Sequence, residues 1–265
     1  MVSFQNGAKN REEELLINKN KLNPYNLLSS RSNNKICVFM LHGFGVTPQI
    51  FGDLQFKLSI LNIDSYAPML TGKSWSLFSF ANSSHQEWIN KSTEVYDRLS
   101  LEYDEVIVLG FSMGGTLATH LSQIRKVKKV ILLSPYFGLY KMPPFIENVL
   151  ITLFKKRNLY IKNKSLDCSK VIKQEEIFTY GYTPLKAVVE LFLLKEKVVS
   201  LPKSFASILI MHSRLDHVAD YQESYDYFKE VEEFEFVSLE KSYHYILNDI
   251  EQEEVYLKVI DFIRH

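Results

Sequence analysis

The stretch LGFSMGGTL, residues 109–117, decides the predicted fold of this chain. It overlaps the end of EVIVLG, residues 105–110, an apolar run rich in β-branched residues, and it leads into the helical pattern TLATHLSQI. Within it, Gly110-Phe111-Ser112-Met113-Gly114 fits the pattern G-x-S-x-G. Such glycines are required where a strained strand-to-helix turn brings backbone segments close together. The pattern alone recurs by chance, but between a strand and a helix it predicts that Ser112 is a nucleophile.

Similar apolar runs recur along the chain and alternate with helical patterns. Continuous apolarity over a few residues is typical of strands that are buried on both faces of a parallel sheet. The predicted strands are residues 36–41, 105–110, 130–134, 207–212 and 234–239, with a weaker candidate at 64–69. Helical patterns occupy residues 84–102, 113–123, 221–231 and 251–263. This alternation predicts a mostly parallel, doubly wound α/β sheet with helices on both faces.

One long segment, residues 137–200, breaks the alternation. No strand is evident in it, and it contains helical patterns such as TPLKAVVELFLL, in which Pro184 is well placed at a helix start. A segment of roughly sixty residues is too long for an ordinary loop in a compact domain. We therefore predict a small helical cap inserted after the strand at 130–134. The core then comprises residues 1–136 and 201–265, although residues 1–34 match no recognisable pattern.

Composition excludes several classes of function. The 31 basic residues balance the 31 acidic residues, so no general attraction to nucleic acid is expected. The two cysteines, Cys37 and Cys168, form neither a CxxC motif nor a Cys–His cluster, so we expect no disulfide framework and no structural metal. The N-terminus is polar and acidic, and no apolar run reaches the length of a membrane span. We therefore expect a cytoplasmic protein without stable membrane insertion.

A serine nucleophile requires a base and an acid, which in this architecture follow it in the order acid, then histidine. His244 lies just beyond the last predicted strand, at the sheet edge where ligand sites gather, and it is the predicted base. Asp216 directly follows the strand at 207–212 and is the predicted acid, with Asp220 as second choice. His217 is a poor base because it is adjacent to Asp216. Two structural alternatives remain, a loop histidine bonded to backbone and an aspartate that caps a helix.

Acyl transfer also requires hydrogen-bond donors for the oxyanion of the tetrahedral intermediate. The backbone N–H of Met113 is one predicted donor, because it directly follows the nucleophile. The second is the N–H of Phe44, in the glycine-containing stretch LHGFG that follows the first buried strand. His42 in this stretch is expected to hold the loop by hydrogen bonds. His212, at the end of a predicted strand, is assigned a structural role.

Taken together, these motifs resemble the α/β-hydrolase superfamily and, within it, the group of bacterial carboxylesterases and monoacylglycerol lipases. The resemblance covers nearly all of residues 36–263 and rests on LHGFG, APMLTG, Glu87-Trp88, GFSMGG, SRLDHV and SYHYI. It implies an α/β-hydrolase fold with a small helical cap. It also implies the same site by position: Ser112 as nucleophile, Asp216 as acid, His244 as base, and Phe44 and Met113 as oxyanion donors. The chain departs from many relatives at Gly72-Lys73-Ser74, where they have His-Gly.

The activity implied is hydrolysis of carboxylic esters by a Ser-His-Asp triad through an acyl-enzyme, without metal or organic cofactor. Apolar side chains in the cap segment favour a small ester with an apolar, short- to medium-length acyl group. The tentative substrate-binding residues are Phe44, Phe137, Phe192 and Val218. Two alternatives remain open. One is a thioesterase or acyltransferase that uses the same triad, and the other is a hydrolase-fold protein that binds a ligand without turning it over.

Overall fold

Strands and helices alternate along most of the chain. In a computed structural model, residues 26–28, 35–70, 76–157, 159–163, 166–169, 179–203 and 207–265 are described. The elements are β1 (Asn26–Leu28), β2 (Ile36–Leu41), a 3-10 helix (Pro48–Phe51), α1 (Gly52–Ile60), β3 (Asp64–Pro68), α2 (Leu77–Ala81), α3 (His85–Glu102), β4 (Glu105–Phe111), α4 (Met113–Ile124), β5 (Lys129–Leu133), α5 (Pro144–Phe154), β6 (Tyr160–Lys162), β7 (Tyr182–Pro184), α6 (Leu185–Val199), β8 (Ser207–Ser213), α7 (Tyr221–Phe228), β9 (Phe234–Leu239) and α8 (Gln252–Arg264).

The main sheet is mostly parallel. Within the described residues it has seven strands in the order β1-β3-β2-β4-β5-β8-β9. β1 pairs antiparallel with β3, and the remaining neighbours pair parallel. The chain reverses its direction of progress across the sheet between β3 and β4, so the carboxyl ends of β2 and β4 lie at a topological switch point. The register places Leu41 opposite Gly110, which brings the loops after these two strands together.

Side chains from the two faces of the sheet build two separate apolar layers. Alternate strand residues point to opposite faces, and the central strands are apolar at both sets of positions. One layer packs against α3, α4, α6 and α7, and includes Phe39, Val108, Leu132, Ile210, Trp88, Leu117, Leu194 and Phe228. The other packs against α1 and α8, and includes Met40, Leu109, Leu133, Met211, Leu54, Leu58, Val255 and Val259. The doubly wound sheet predicted from the apolar runs is confirmed.

Local capping chemistry accounts for the start of the longest helix. The Ser84 side chain accepts a hydrogen bond from the backbone N–H of Glu87, and the Glu87 carboxylate accepts one from the backbone N–H of Ser84. This reciprocal arrangement satisfies two donors that the first turn of a helix leaves unpaired. The sequence predicted this helix over residues 84–102, and α3 begins one residue later.

Between β5 and β8 the chain contains more than helices. The sequence predicted no strand in residues 137–200, but β6 and β7 pair antiparallel, with Ile161 opposite Thr183. This corrects the prediction. Each strand has three residues and most of their side chains are exposed, so no buried periodicity marks them in the sequence. α6 packs against both α4 and α5. The division of the chain into a core and a helical cap stays a prediction.

β1 lies within residues 1–34, where the sequence offered no pattern, and it adds the antiparallel edge strand. The departure at Gly72-Lys73-Ser74 lies outside the described residues. No helix in the described part of the chain combines the length and the apolarity needed to cross a membrane.

Candidate active site

Ser112 occupies a strained turn between β4 and α4. Its backbone has φ 53° and ψ −118°, in a region that residues other than glycine rarely adopt. The glycines beside it allow close backbone contacts. A Cβ atom on Gly110 would lie 2.1 Å from the carbonyl oxygen of Gly114, and one on Gly114 would lie 1.8 Å from that of Leu41. The G-x-S-x-G spacing therefore reflects a steric requirement in this fold.

The structure brings Ser112, His244 and Asp216 into one hydrogen-bonded chain. The Nε2 atom of His244 lies 3.0 Å from the Ser112 hydroxyl, and its Nδ1 atom lies 2.7 Å from an Asp216 carboxylate oxygen. The three residues follow β4, β9 and β8 respectively, so they meet at the carboxyl edge of the sheet. All three are buried, with 7%, 3% and 2% of their surfaces exposed.

The environment of Asp216 favours its ionised form. One carboxylate oxygen accepts hydrogen bonds from the backbone N–H groups of Val218 and Ala219, at 2.8 and 2.9 Å. Burial alone would raise the pKa of this carboxyl group. The charge of His244 and hydrogen bonds from His212 and His244 outweigh burial and hold its pKa well below the ordinary range. An anion therefore faces the His244 ring, where it would stabilise an imidazolium.

A second histidine contacts the same aspartate, and sequence reasoning missed it. The Nε2 atom of fully buried His212 lies 2.9 Å from the Asp216 oxygen that also faces His244. An ionised carboxylate only accepts hydrogen bonds, so both histidines donate to it. The other ring nitrogen of a neutral His244 is then a free acceptor for the serine proton. The one sequence signal for His212 was its position at the end of the strand before residues 214–220, the loop that carries Asp216 and that we call the acid loop.

The loop after β2 lies against the serine. A Cβ atom on Gly43 would lie 3.2 Å from the Cβ of Ser112. His42 holds this loop, because its Nδ1 atom lies 2.8 Å from the carbonyl oxygen of Gly43 and its Nε2 atom accepts a hydrogen bond of 2.9 Å from the backbone of Leu70. Complete burial lowers the pKa of His42 to about 4, so the ring is neutral near pH 7.

The two predicted oxyanion donors, Phe44 and Met113, belong to the two backbone segments that meet at Ser112. Met113 is the first residue of α4, where backbone N–H groups lack partners within the helix. Phe44 lies in the loop that His42 holds. Neither backbone N–H forms a hydrogen bond with another residue that the structure describes. Their role as donors stays a prediction, which the positions of the two residues support.

The second-choice acid, Asp220, and the neighbouring His217 form hydrogen bonds with residues other than Ser112 and His244. Asp220 caps α7, where its carboxylate accepts hydrogen bonds from the backbone of Gln222 and Glu223, so the second choice of acid has a helix-capping role. The Nδ1 atom of His217 lies 2.9 Å from a carboxylate oxygen of Asp167. The sequence drew no attention to Asp167, which lies in the long segment between β5 and β8.

The tentative substrate-binding residues have different surroundings. Phe44 is partly exposed and packs edge-on against Phe80, with ring centroids 4.8 Å apart. Val218 is also partly exposed and lies in the acid loop. Phe137 and Phe192 are buried in the apolar layer beneath α6 and α7. Substrate contact stays a prediction for all four, and the first two are the more accessible.

The two cysteines are free thiols with raised pKa values. Burial raises the pKa of Cys37 to about 12, so this thiol behaves as a small apolar side chain. Cys168 is also a free thiol, and its pKa is raised to about 12 by burial. Among the described residues, no group of three or more His, Cys, Asp or Glu side chains could hold a metal ion.

The mostly parallel sheet, with Ser112, His244 and Asp216 hydrogen-bonded at its carboxyl edge, is the arrangement that the sequence resemblance predicted for an α/β-hydrolase. The chain belongs to the family described as serine aminopeptidase, S33, whose model matches residues 32–251. Membership of the α/β-hydrolase superfamily, predicted from the sequence motifs, is thereby confirmed. The family is one of serine hydrolases, so the prediction that this protein is an enzyme is confirmed as well.

Individual relatives are distant in sequence but cover almost the whole chain. The chain is 23% identical over 233 residues to the thermostable monoacylglycerol lipase of Bacillus sp. (strain H-257), covering 87% of this chain and 91% of the relative. A structure from work on LipS and LipT, two metagenome-derived lipolytic enzymes, superposes with a TM-score of 0.80 at 23% identity, covering 91% of this chain and 97% of the other. The monoacylglycerol lipase of Paleococcus ferrophilus superposes with a TM-score of 0.72 at 18% identity, covering 91% and 98%. These structural similarities establish the fold.

Proposed function

We propose that this protein is a serine carboxylic-ester hydrolase that acts on small esters with an apolar acyl group. The single observation that carries the proposal is the continuous hydrogen-bonded chain from the Ser112 hydroxyl through His244 to the Asp216 carboxylate. The lipolytic relatives of similar length and fold favour an ester over the peptide that the family description names.

The mechanism has two halves that use the same groups. His244 removes the proton of Ser112 as the serine oxygen attacks the ester carbonyl, and Asp216 stabilises the imidazolium that forms. The backbone N–H groups of Phe44 and Met113 donate to the oxyanion. The imidazolium then protonates the departing alcohol, which leaves an acyl group on Ser112. His244 then takes a proton from water as the water attacks the acyl carbonyl. The bond to the serine oxygen breaks, the imidazolium returns its proton to that oxygen, and the carboxylic acid leaves the free serine behind.

The surroundings of Phe44 support an apolar acyl group. Phe44 packs against Phe80 and Trp88, and Phe80 stacks on Tyr180 with ring centroids 4.8 Å apart. Tyr180 belongs to the segment between β5 and β8, so we propose that this segment, the predicted cap, covers the aromatic surface beside the loop after β2. An aromatic surface of this kind binds hydrocarbon better than charged or strongly polar groups.

The test compares substrates and variants in one assay. Initial rates are measured on p-nitrophenyl esters of graded acyl length, on a matched thioester series and on an aminoacyl p-nitroanilide. We expect the esters to be the best substrates and S112A and H244A to lose several orders of magnitude in kcat. The acyl length with the highest kcat/KM measures the size of the apolar site.

A matched control is available on the neighbouring strand. Ser134 directly follows β5, has φ 43°, and is fully buried with a hydroxyl that has no hydrogen-bond partner among the described residues. It shares a positive φ with Ser112 but its hydroxyl has no histidine partner, so S134A should retain the wild-type rate. Ester hydrolysis at wild-type rates by S112A would refute the proposed nucleophile. Faster turnover of thioesters or of the peptide analogue would move the assignment to those classes.

A further inference from the structure

A short segment of the chain between β5 and β8 lies against residues 240–251, the loop that carries His244 and that we call the histidine loop. We call residues 166–169 the strap. The carbonyl oxygen of Asp167 accepts a hydrogen bond of 3.3 Å from the backbone N–H of Tyr245, and Ser169 donates from its backbone and its hydroxyl to the carboxylate of Asp249, at 2.7 and 2.5 Å. Asp249 also accepts hydrogen bonds from the backbone of Tyr243 and Ile250. The strap is therefore joined to the histidine loop at two residues, Asp167 and Ser169.

The side chain of Asp167 makes a second kind of connection. One carboxylate oxygen accepts hydrogen bonds from two backbone N–H groups, that of His217 at 3.0 Å and that of His244 at 3.2 Å. The other oxygen lies 2.9 Å from the Nδ1 atom of His217. His217 directly follows Asp216 in the chain. A single carboxylate thus holds the loop of the acid and the loop of the base at the same time.

These contacts bear directly on the distance between the acid and the base. The loops after β8 and β9 are also joined by the Asp216–His244 hydrogen bond, by a hydrogen bond from the hydroxyl of Ser213 to the backbone of Ser242, and by an edge-to-face contact between the rings of His217 and Tyr243. An exposed ion pair, Arg214 to Glu240, lies farther along the same two loops. The Asp167 carboxylate differs from these links because it binds the backbone of both loops at once. Only 17% of the Asp167 side-chain surface is exposed, so its hydrogen bonds are little weakened by competition with water. Hydrogen bonds to an ionised acceptor are also the stronger kind.

We propose that Asp167 is a positioning residue for the hydrolytic reaction, which holds the loops of Asp216 and His244 in register so that His244 meets the Ser112 hydroxyl. The proposal rests on the proposed function, because it assumes that these three residues form the triad. Its consequence is that a residue of the predicted cap segment sets the geometry of catalysis without contacting the Ser112 hydroxyl. A displacement of about 1 Å in such a site is enough to lower a rate by roughly two orders of magnitude.

The experiment measures kcat, KM and thermal stability for the full chain and four variants on the best p-nitrophenyl ester. D167A removes all three hydrogen bonds, and kcat is expected to fall by on the order of tenfold to a hundredfold while KM changes by less than about threefold. D167N is the conservative variant. Its amide oxygen can accept from both backbone N–H groups and its NH₂ can donate to the Nδ1 atom of a neutral His217, so it is expected to restore most of kcat.

The matched control is D220A. Asp220 lies in the same loop as His217 and also binds two backbone N–H groups, but both belong to α7 and neither to the histidine loop. D220A should therefore lose stability without losing kcat. If D167A does not fold, D167S replaces it, since its shorter hydroxyl cannot span the same three donors.

Three results would overturn the proposal: wild-type kcat in the folded D167A or D167S variant, an equal loss of kcat in D220A, or no recovery of kcat in D167N. The fourth variant, S112A, separates this proposal from the proposed function. Activity in S112A would remove the triad, whereas an inactive S112A beside a fully active D167A would remove the role of Asp167 alone.

Discussion

Replacing Gly114 with alanine should destabilise the turn that carries Ser112 far more than a typical surface substitution. The added Cβ would lie 1.8 Å from the carbonyl oxygen of Leu41 and 2.4 Å from its carbonyl carbon. Real Cβ atoms essentially never approach other atoms within 3.0 Å, so one of the two backbone segments must move by more than about 1 Å. Leu41 ends a strand that pairs with a neighbour on each side, which resists that movement.

The magnitude follows from what can relax. Overpacking by a side chain costs about 1–3 kcal/mol when other side chains yield, and here the atoms in conflict belong to backbone. We therefore expect G114A to lower the free energy of unfolding by at least about 3 kcal/mol, out of a total of roughly 5–15 kcal/mol. For a chain of this size each kcal/mol corresponds to about 2–4 °C, so Tm should fall by at least about 6 °C. Activity should fall as well, because Ser112 is displaced.

Gly52 provides the matched control for the same substitution. It is the first residue of α1, has helical angles of φ −51° and ψ −46°, and a Cβ atom there would meet no atom within 4 Å. G52A should therefore stabilise the protein by about 0.4–1 kcal/mol, because alanine reduces the conformational freedom of the unfolded chain. Thermal denaturation followed by circular dichroism measures both variants. The reasoning is refuted if G114A melts within about 2 °C of the wild type, or if G52A is destabilised as much as G114A.

Three further predictions concern the acid and the buried histidines. D216N should lower kcat by on the order of 10⁴-fold, because an amide donor forces His244 into the wrong tautomer. A folded D216N with more than about a tenth of the wild-type kcat would contradict the role of Asp216 as the acid. H212F removes a donor to the Asp216 carboxylate and should lower kcat by about tenfold. The side-chain amide of H212Q can reach the same oxygen and should recover the rate. Equal rates in H212F, H212Q and the wild type would show that His212 is dispensable. Because burial lowers the pKa of His42 from 6.5 to about 4, the unfolded chain binds a proton at higher pH than the folded chain. The contribution of His42 to stability is therefore complete above pH 6.5 and is lost as pH falls to about 4. Urea denaturation should show that the free energy of unfolding of H42Q falls less steeply over this range, by up to about 1.4 kcal/mol per pH unit, and equal slopes would contradict the assignment.

Much of the fold was predictable because its signals are local. The run at residues 36–41 forms β2 within the predicted bounds, since continuous apolarity over six residues suits a strand that is buried on both faces. The helix signalled at 84–102 forms because Ser84 and Glu87 are three residues apart and can cap each other. The strands β1, β6 and β7 were not predictable, because each has three residues and is defined by pairing with a distant segment.

The sequence by itself determined the buried strands of the parallel sheet, the longer helices between them, the serine turn and the candidates for acid and base, because these depend on spacing within a few residues. Tertiary structure alone decided which side chains meet Asp216 and what holds the loops around it. His212 reaches that carboxylate because β8 ends beside the acid loop, and Asp167 reaches His217 and His244 because a segment 50 and 77 residues away folds back over their loops. The contacts of Asp167 carry no local pattern, since they depend on how the whole chain packs and not on the residues adjacent to them. The contact of His212 joins residues only four apart, but it depends on how β8 ends and the following loop turns.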